Sequence, residues 1–118
     1  MLHNADFVTI HVPLNEETRN LVCKEQIEQM RPGAFVLNMS RGGIVNETDV
    51  CEALKNGKLG GYATDVMSDE LDEGAEFDSP LFACDNFIVT PHIGGQSVDA
   101  ARAIGQFIIG KCKEALGL

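Results

Sequence analysis

At 118 residues the chain is the length of one domain, enough to bury roughly two-thirds of its unfolded surface. Nine Lys and Arg against 18 Asp and Glu give a net charge of −9, a field that repels phosphate backbones and anionic lipid. Nucleic acid and membrane are therefore excluded as expected partners. No apolar run approaches the roughly 20 residues that span a bilayer, and the opening "MLHNADFVTIHVPLN" lacks a basic stretch followed by a long apolar one. Cysteines at 23, 51, 84 and 112 form no CxxC, so no metal site is expected; reduced, mostly buried thiols in a soluble cytoplasmic protein are.

In chain order, "FVTIHV" (7 to 12) is a β-branched-rich run closed by Pro13, and reads as a strand. Residues 24 to 30 are polar with Ile27 and Met30 on one face, a short helix stopped by Pro32-Gly33. "AFVLNM" (34 to 39) is a second strand. Asn46, with Asp49 three residues on, predicts the N-cap of a helix that buries Val50, Ala53 and Leu54 and ends at Asn56-Gly57. A third strand is expected near 60 to 64 and a fourth at 87 to 90, where Thr90-Pro91 ends it. Between them "SDELDEGAEFD" (68 to 78) concentrates six acids and reads as a solvated loop. Ser97 or Val98 opens a last helix with apolar positions at Ala101, Ile104, Phe107, Ile108, Cys112 and Leu116. Met30, Met39 and Met67 read as core or loop packing.

Strands alternating with helices predict an α/β fold, a parallel sheet with flanking helices, and such sheets bind ligands beyond the C-terminal ends of their strands. His11, Val12 and Pro13 follow the first strand, and Ser40, Arg41 and Gly42 the second. Asp65 and then Glu70 follow the third, and His92, Gly94 and Gly95 the fourth. Arg41 can grip a carboxylate through two parallel N–H bonds. His92 can give or take a proton near neutral pH, and a neighbouring carboxylate such as Glu70 favours its charged form. Glycines in "SRGG" and "HIGG" let a flat ligand approach the backbone.

"HVPLNEET", "LNMSRGGIVNE", "GGYATDV", "DE" and "TPHIGG" stand in this order over essentially the whole chain. In that order and near that spacing they resemble the NAD-binding domain of the D-isomer-specific 2-hydroxyacid dehydrogenases. The resemblance implies the second half of a Rossmann domain and hydride transfer between NAD and a D-2-hydroxy or 2-oxo acid. It implies catalytic roles for Arg41 on the substrate carboxylate and carbonyl, Glu70 in support of the histidine, and His92 as acid/base. It places His11, Val12, Pro13, Ser40, Arg41, Asp65, His92, Gly94 and Gly95 along the cofactor, Asp65 near the nicotinamide carboxamide. "GGQS" and "GGIVNE" look closer to phosphoglycerate- or glyoxylate-type members than to lactate-type ones.

Two departures from the family pattern change the expectation. The family's glutamate is usually followed by proline, but Leu71 stands here, which loosens the loop and makes Asp69 a rival to Glu70. The sequence also has no GxGxxG turn to seat a pyrophosphate on a helix N-terminus. Residues 1–118 are thus expected to be a partial NAD-binding domain, lacking the GxGxxG half and the substrate domain and inactive by itself. Its first strand, 7 to 12, is expected to leave an apolar edge that a homodimer or segment swap covers. Two other classes of function remain on sequence grounds: an NAD-responsive corepressor-like binding protein, which would bind nucleotide without turnover, and an inert folding or assembly fragment, which would do neither.

Overall fold

The computed structural model describes residues 1–68 and 79–117. Four strands, β1 (Phe7–Ile10), β2 (Ala34–Asn38), β3 (Leu59–Thr64) and β4 (Phe87–Val89), form one sheet in the order β1-β2-β3-β4, with every neighbouring pair parallel. Helix α1 (Lys24–Gln29) lies between β1 and β2, and α2 (Glu47–Lys55) between β2 and β3. The long α3 (Val98–Leu116) follows β4, and short 3-10 turns at Leu2–Asn4 and Pro80–Ala83 complete the order. The α/β fold with its parallel sheet is as the sequence predicts. β3 ends at Thr64 as expected, while the other strands end one or two residues early, β1 at Ile10 rather than residue 12, because the chain turns out of the ladder toward Pro13.

Register explains which side chains form the core. Val8, Val36, Tyr62 and Phe87 align across the sheet, as do Ile10, Asn38, Thr64 and Val89, and these rows face α1 and α2. Ile27, Ile44, Val50, Leu54, Leu59 and Leu81 fill the space between sheet and helices, each fully buried aliphatic contributing roughly 1.5–3 kcal/mol. Tyr62 stacks on Phe87 with centroids 5.6 Å apart, and burial is the main reason that its hydroxyl pKa is pushed up to about 12.

The opposite rows, Phe7–Phe35–Gly61 and Thr9–Leu37–Ala63–Ile88, form a face that no described helix covers. Phe7 is 66% and Ile88 67% exposed, and Phe7 and Phe35 stack on each other at 5.2 Å. The sequence suggests helices on the faces of the sheet; the described α1 and α2 occupy only one. The reason is topological: successive crossovers step in the same direction along the sheet, and with one common hand they deliver their helices to the same side.

Local signals hold the helices in place. The Asn46 side chain accepts from the Asp49 N–H at 3.1 Å, as an N-cap should, and Ser97 does the same for Ala100 at 3.1 Å. Lys58 Nζ donates to the carbonyls of Glu28 and Met30, both at 2.9 Å, and so closes the C-terminal end of α1 with a cation. The Asp49 carboxylate accepts from Lys24 N at 2.8 Å and ties the start of α1 to α2. Segment 20 to 22, which the sequence leaves unassigned, bridges residues 43 to 46 through Val22 and Val45.

The apolar stripe of α3 is present at helical spacing, but none of its residues is buried; Phe107 is 67% exposed. The radius of gyration, 17.2 Å, exceeds the about 13–14 Å of a compact chain of this length because α3 stands away from the sheet. The cysteines also differ from expectation: only Cys51 is buried, Cys23 and Cys84 are partly exposed, and Cys112 is exposed on α3. Of the three methionines read as packing, Met30 and Met67 are buried while Met39 is 42% exposed. Among the described residues, no helix is long and apolar enough to cross a membrane.

Candidate functional site

The ladder continues past the strand ends and brings their C-terminal extensions side by side. Met39 N donates to Ile10 O at 3.2 Å, Asp65 N to Asn38 O at 3.1 Å, and Thr90 N to Thr64 O at 3.0 Å. The residues just beyond, 11 to 13, 40 to 42, 65 and 92 to 95, are thereby set along one rim. Two adjoining clefts run along it. One, of about 640 Å³, is lined by His11, Val12, Pro13, Leu14, Met39, Ser40 and Arg41. The other, of about 600 Å³, shares Met39, Ser40 and Arg41 and adds Asp65, His92, Gly94 and Gly95. Every sequence-predicted site residue that is described therefore lines this rim; Glu70, with its rival Asp69, lies outside the described residues.

The first wall is shaped by a side-chain turn. Asn15 Oδ1 accepts from Glu17 N and Thr18 N, both at 2.9 Å, while Thr18 Oγ1 donates to Pro13 O at 2.6 Å. This winds "PLNEET" into a knot that presents His11, Val12 and Pro13 to the cleft. His11 Nε2 is 2.8 Å from Thr9 Oγ1.

The Arg41 loop is built around a buried polar residue. Asn38, 1% exposed at the end of β2, donates through Nδ2 to Arg41 O at 2.9 Å and accepts from Ser40 N at 3.2 Å. Gly42 lies against the backbone of β3's continuation: a Cβ there would be 2.2 Å from Met67 O. Gly43 is needed for a different reason, its φ of +79°. Gly43 N donates to Ser68 Oγ at 3.2 Å, and Ser68 in turn gives both its N–H and its hydroxyl to Glu47 Oε1, at 2.7 and 2.8 Å. Glu47, in the first turn of α2, thus joins the Arg41 loop to the chain leaving β3. Arg41 itself is exposed and folds one Nη1 donor onto Ser40 O at 2.6 Å.

The His92 turn is organised by Asp65. This carboxylate, 7% exposed, accepts from Thr90 Oγ1 at 2.5 Å, from Ile93 N at 3.0 Å and from Gly94 N at 2.8 Å. Hydrogen bonding from Thr90 is the largest influence on its acidity and holds the pKa below the usual carboxylate range; burial works the other way, and Gly94, Ile93 and His92 add to the lowering. His92 adopts φ +53°, a left-handed conformation that costs an ordinary residue roughly 1–2 kcal/mol. The turn is closed by His92 N to Thr90 O at 2.9 Å and by Gln96 Nε2 to His92 O at 3.1 Å. Asp65 thus brackets the strained residue from both sides.

Asn38, Glu47, Ser68 and Thr90 support the rim, and the sequence reading does not single them out. For Asn38 a signal was available: a polar amide inside the apolar run "AFVLNM" must find partners if the strand is buried. Glu47 and Ser68 meet only through the tertiary fold, 21 residues apart. Among the described residues no group of three His, Cys, Asp or Glu side chains is placed to hold a metal ion.

The rim fits a nicotinamide nucleotide on its own features. Gly94 and Gly95 offer backbone without side chains, open space lies where a Cβ of Gly95 would be, and Asp65 lines the same cleft. Comparison with known proteins agrees. Residues 1–94 match the family described as D-isomer specific 2-hydroxyacid dehydrogenase, NAD binding domain. A D-3-phosphoglycerate dehydrogenase of Methanocaldococcus jannaschii is 40% identical over 112 residues, covering 95% of this chain and 21% of that protein. Among solved structures, a D-isomer specific 2-hydroxyacid dehydrogenase of Xanthobacter autotrophicus in complex with NADPH and MES superposes with a TM-score of 0.78 at 30% identity, over 98% of this chain and 46% of the other. An NAD-dependent formate dehydrogenase of Staphylococcus aureus in complex with NAD gives 0.76 at 30% identity, over 98% of this chain and 34% of that one. The chain spans about a fifth of the length of the Methanocaldococcus relative.

Proposed function

Since the chain belongs to the D-isomer specific 2-hydroxyacid dehydrogenase NAD-binding family, we propose that it supplies the carboxylate anchor and the acid/base group for oxidoreduction of a D-2-hydroxy or 2-oxo acid. The observation that carries this reading is that Arg41 and His92 line the same cleft with Asp65 and two bare glycines. His11, Val12, Pro13, Ser40, Asp65, Gly94 and Gly95 would hold the cofactor along the rim. When bound, NAD supplies the hydride acceptor and its reduced form the donor.

Arg41 binds the substrate carboxylate through charge-assisted hydrogen bonds and fixes its orientation. His92 takes the proton from the substrate hydroxyl in oxidation and returns it to the carbonyl oxygen in reduction. Glu70 keeps the imidazole charged and oriented when it holds that proton. The preferred substrate class is phosphoglycerate- or glyoxylate-type, which the 40% identity to a D-3-phosphoglycerate dehydrogenase supports. The 118 residues alone are proposed to be without turnover, because hydride transfer needs the reacting atoms at near-attack distance and the sequence has no GxGxxG turn for the pyrophosphate.

Calorimetric titration of oxamate in the presence of NADH tests the reading. Saturable heat is expected, and Arg41→Ala should weaken oxamate by roughly tenfold, the worth of a charge-assisted hydrogen bond. Unchanged oxamate affinity in that variant, or no heat at millimolar ligand, would overturn it.

We also propose that two copies associate through the outer edge of β1. That strand pairs only with β2 among the described residues, and its Phe7 is largely exposed. Light scattering at micromolar concentration should return twice the 12.8 kDa chain mass; a monomer would refute the proposal.

A further inference from the structure

Two cysteines that play no part in the rim face each other behind it. Cys51 lies buried in the middle of α2, and Cys84 follows the Pro80–Ala83 turn at a partly exposed position. Their Sγ atoms are 3.8 Å apart although the residues are separated by 33 in sequence. Both thiols approach the same acceptor, Pro80 O, Cys51 at 3.6 Å and Cys84 at 4.0 Å. Neither is therefore held by a strong hydrogen bond, since S–H is a weak donor. The other two cysteines are placed differently: Cys23 Sγ donates to Gln26 Oε1 at 2.9 Å, and Cys112 is exposed on α3.

We propose that Cys51 and Cys84 are an oxidisable pair, a modification site at which a hydroperoxide closes an intramolecular disulfide. The sulfurs must approach by roughly 1.8 Å to reach bonding distance, a movement on the scale of side-chain rotation. Cys84 is the point of entry because it is the more exposed of the two. Its thiolate attacks one peroxide oxygen, the O–O bond breaks, and the departing hydroxide takes up the thiol's proton as water. Cys84 is left as a sulfenic acid. The Cys51 sulfur then attacks the Cys84 sulfur and displaces hydroxide, which leaves as a second water with the Cys51 proton. Two thiols lose two electrons and two hydrogens, and one hydroperoxide is reduced.

The surroundings set the pace of this reaction. Burial pushes the Cys84 thiol above its ordinary pKa, Cys51 beside it adds to the shift, Lys55 opposes it and Asp85 reinforces it. The thiolate is scarce at neutral pH, so oxidation should be slow there and accelerate as pH rises. The product would tie the middle of α2 to the connection that feeds β4, the strand leading to Thr90 and His92.

Oxidation of the purified chain with hydrogen peroxide at pH 8, followed by thiol blocking, digestion and mass spectrometry, decides the matter. A Cys112→Ser background removes cross-linking between chains through the exposed helix. The expected result is a Cys51–Cys84 peptide pair lighter by two hydrogens, with Cys23 still alkylated. The urea midpoint should rise and return after dithiothreitol. The same oxidation in concentrated urea should give a mixture of pairings. A native reaction yielding that same mixture, a Cys84 sulfinic acid beside an alkylatable Cys51, or no change in either thiol would overturn the proposal. In a Cys51→Ser variant Cys84 should halt at a sulfenic acid that dimedone traps; should that variant not fold, the comparison of native and urea-unfolded protein decides alone.

Discussion

Replacing Gly42 with alanine is expected to destabilise the protein by about 3 kcal/mol, a value at the upper end for overpacking. The new Cβ would stand 2.2 Å from Met67 O, 2.6 Å from its carbonyl carbon and 2.9 Å from Ser68 N. All three are backbone atoms, so no rotamer change relieves the contact. Either the Arg41 loop lifts off or the chain leaving β3 retreats, and the second course breaks the Ser68–Glu47 bonds. Gly43→Ala is the control. Its nearest neighbours are flexible side chains, Arg19 Nη1 at 3.6 Å and Leu14, so only the positive φ is penalised, at about 1 kcal/mol. Urea unfolding should order the variants wild type, Gly43→Ala, Gly42→Ala, with the last well separated. Equal midpoints for the two alanine variants would show that the close approach at Gly42 is not what holds the loop.

Asp65→Asn is the second large effect, with a loss of about 2–3 kcal/mol near neutral pH. An asparagine can keep its oxygen toward Thr90 and Ile93, but its N–H₂ then meets the Gly94 N–H, donor against donor. Linkage gives the effect a pH signature. The folded pKa of Asp65 lies below its unfolded value of about 3.9, so its stabilisation is complete above that value and is lost as pH falls through the folded pKa. The gap between wild type and variant should therefore be widest near pH 7 and shrink toward pH 2. Chemical denaturation across that range measures it. A gap independent of pH would mean that shape rather than charge holds the turn. Because His92 sits at φ +53° inside this turn, the variant should also change the chemical shifts of the His92 ring in NMR spectra, a response that a general loss of stability does not produce.

Much of the sheet was readable because its signals are local. β-branched runs ended by Pro13 or Pro91, the cap Asn46 and a last helix opening at Ser97 or Val98 each rest on signals within a few residues, and the structure keeps all of them. The rim was readable through the rule that parallel strands present their C-terminal ends together, reinforced by motifs that name Arg41, Asp65 and His92. What escaped depends on distance in the fold. Phe7, Phe35 and Ile88 are apolar residues in strands, and nothing in their own sequence tells that the face they share lacks a described helix. The stripe on α3 has the spacing of a core helix, yet it remains exposed, because periodicity reports which side of a helix is apolar and not what lies opposite. Glu47 is not singled out by the sequence, and only the structure shows its carboxylate occupied by Ser68.

The monotonic parallel order of the strands bears on how quickly this chain reaches its fold. Phe7 pairs with Phe35, Phe35 with Gly61 and Ala63 with Ile88, so every ladder joins residues 25 to 28 apart and none can be started by a tight turn. Each pairing must close a loop of similar length before any ladder bond is gained, and the three entropic penalties are nearly equal. The middle ladder is favoured as the first to form, because β2 and β3 are the longest strands and α2, with the buried Val50 and Leu54, packs against the unit they make. β1 and β4 would then add from opposite sides, making folding a growth outward from the centre, and a substitution such as Val50→Ala should slow it more than one at Phe7.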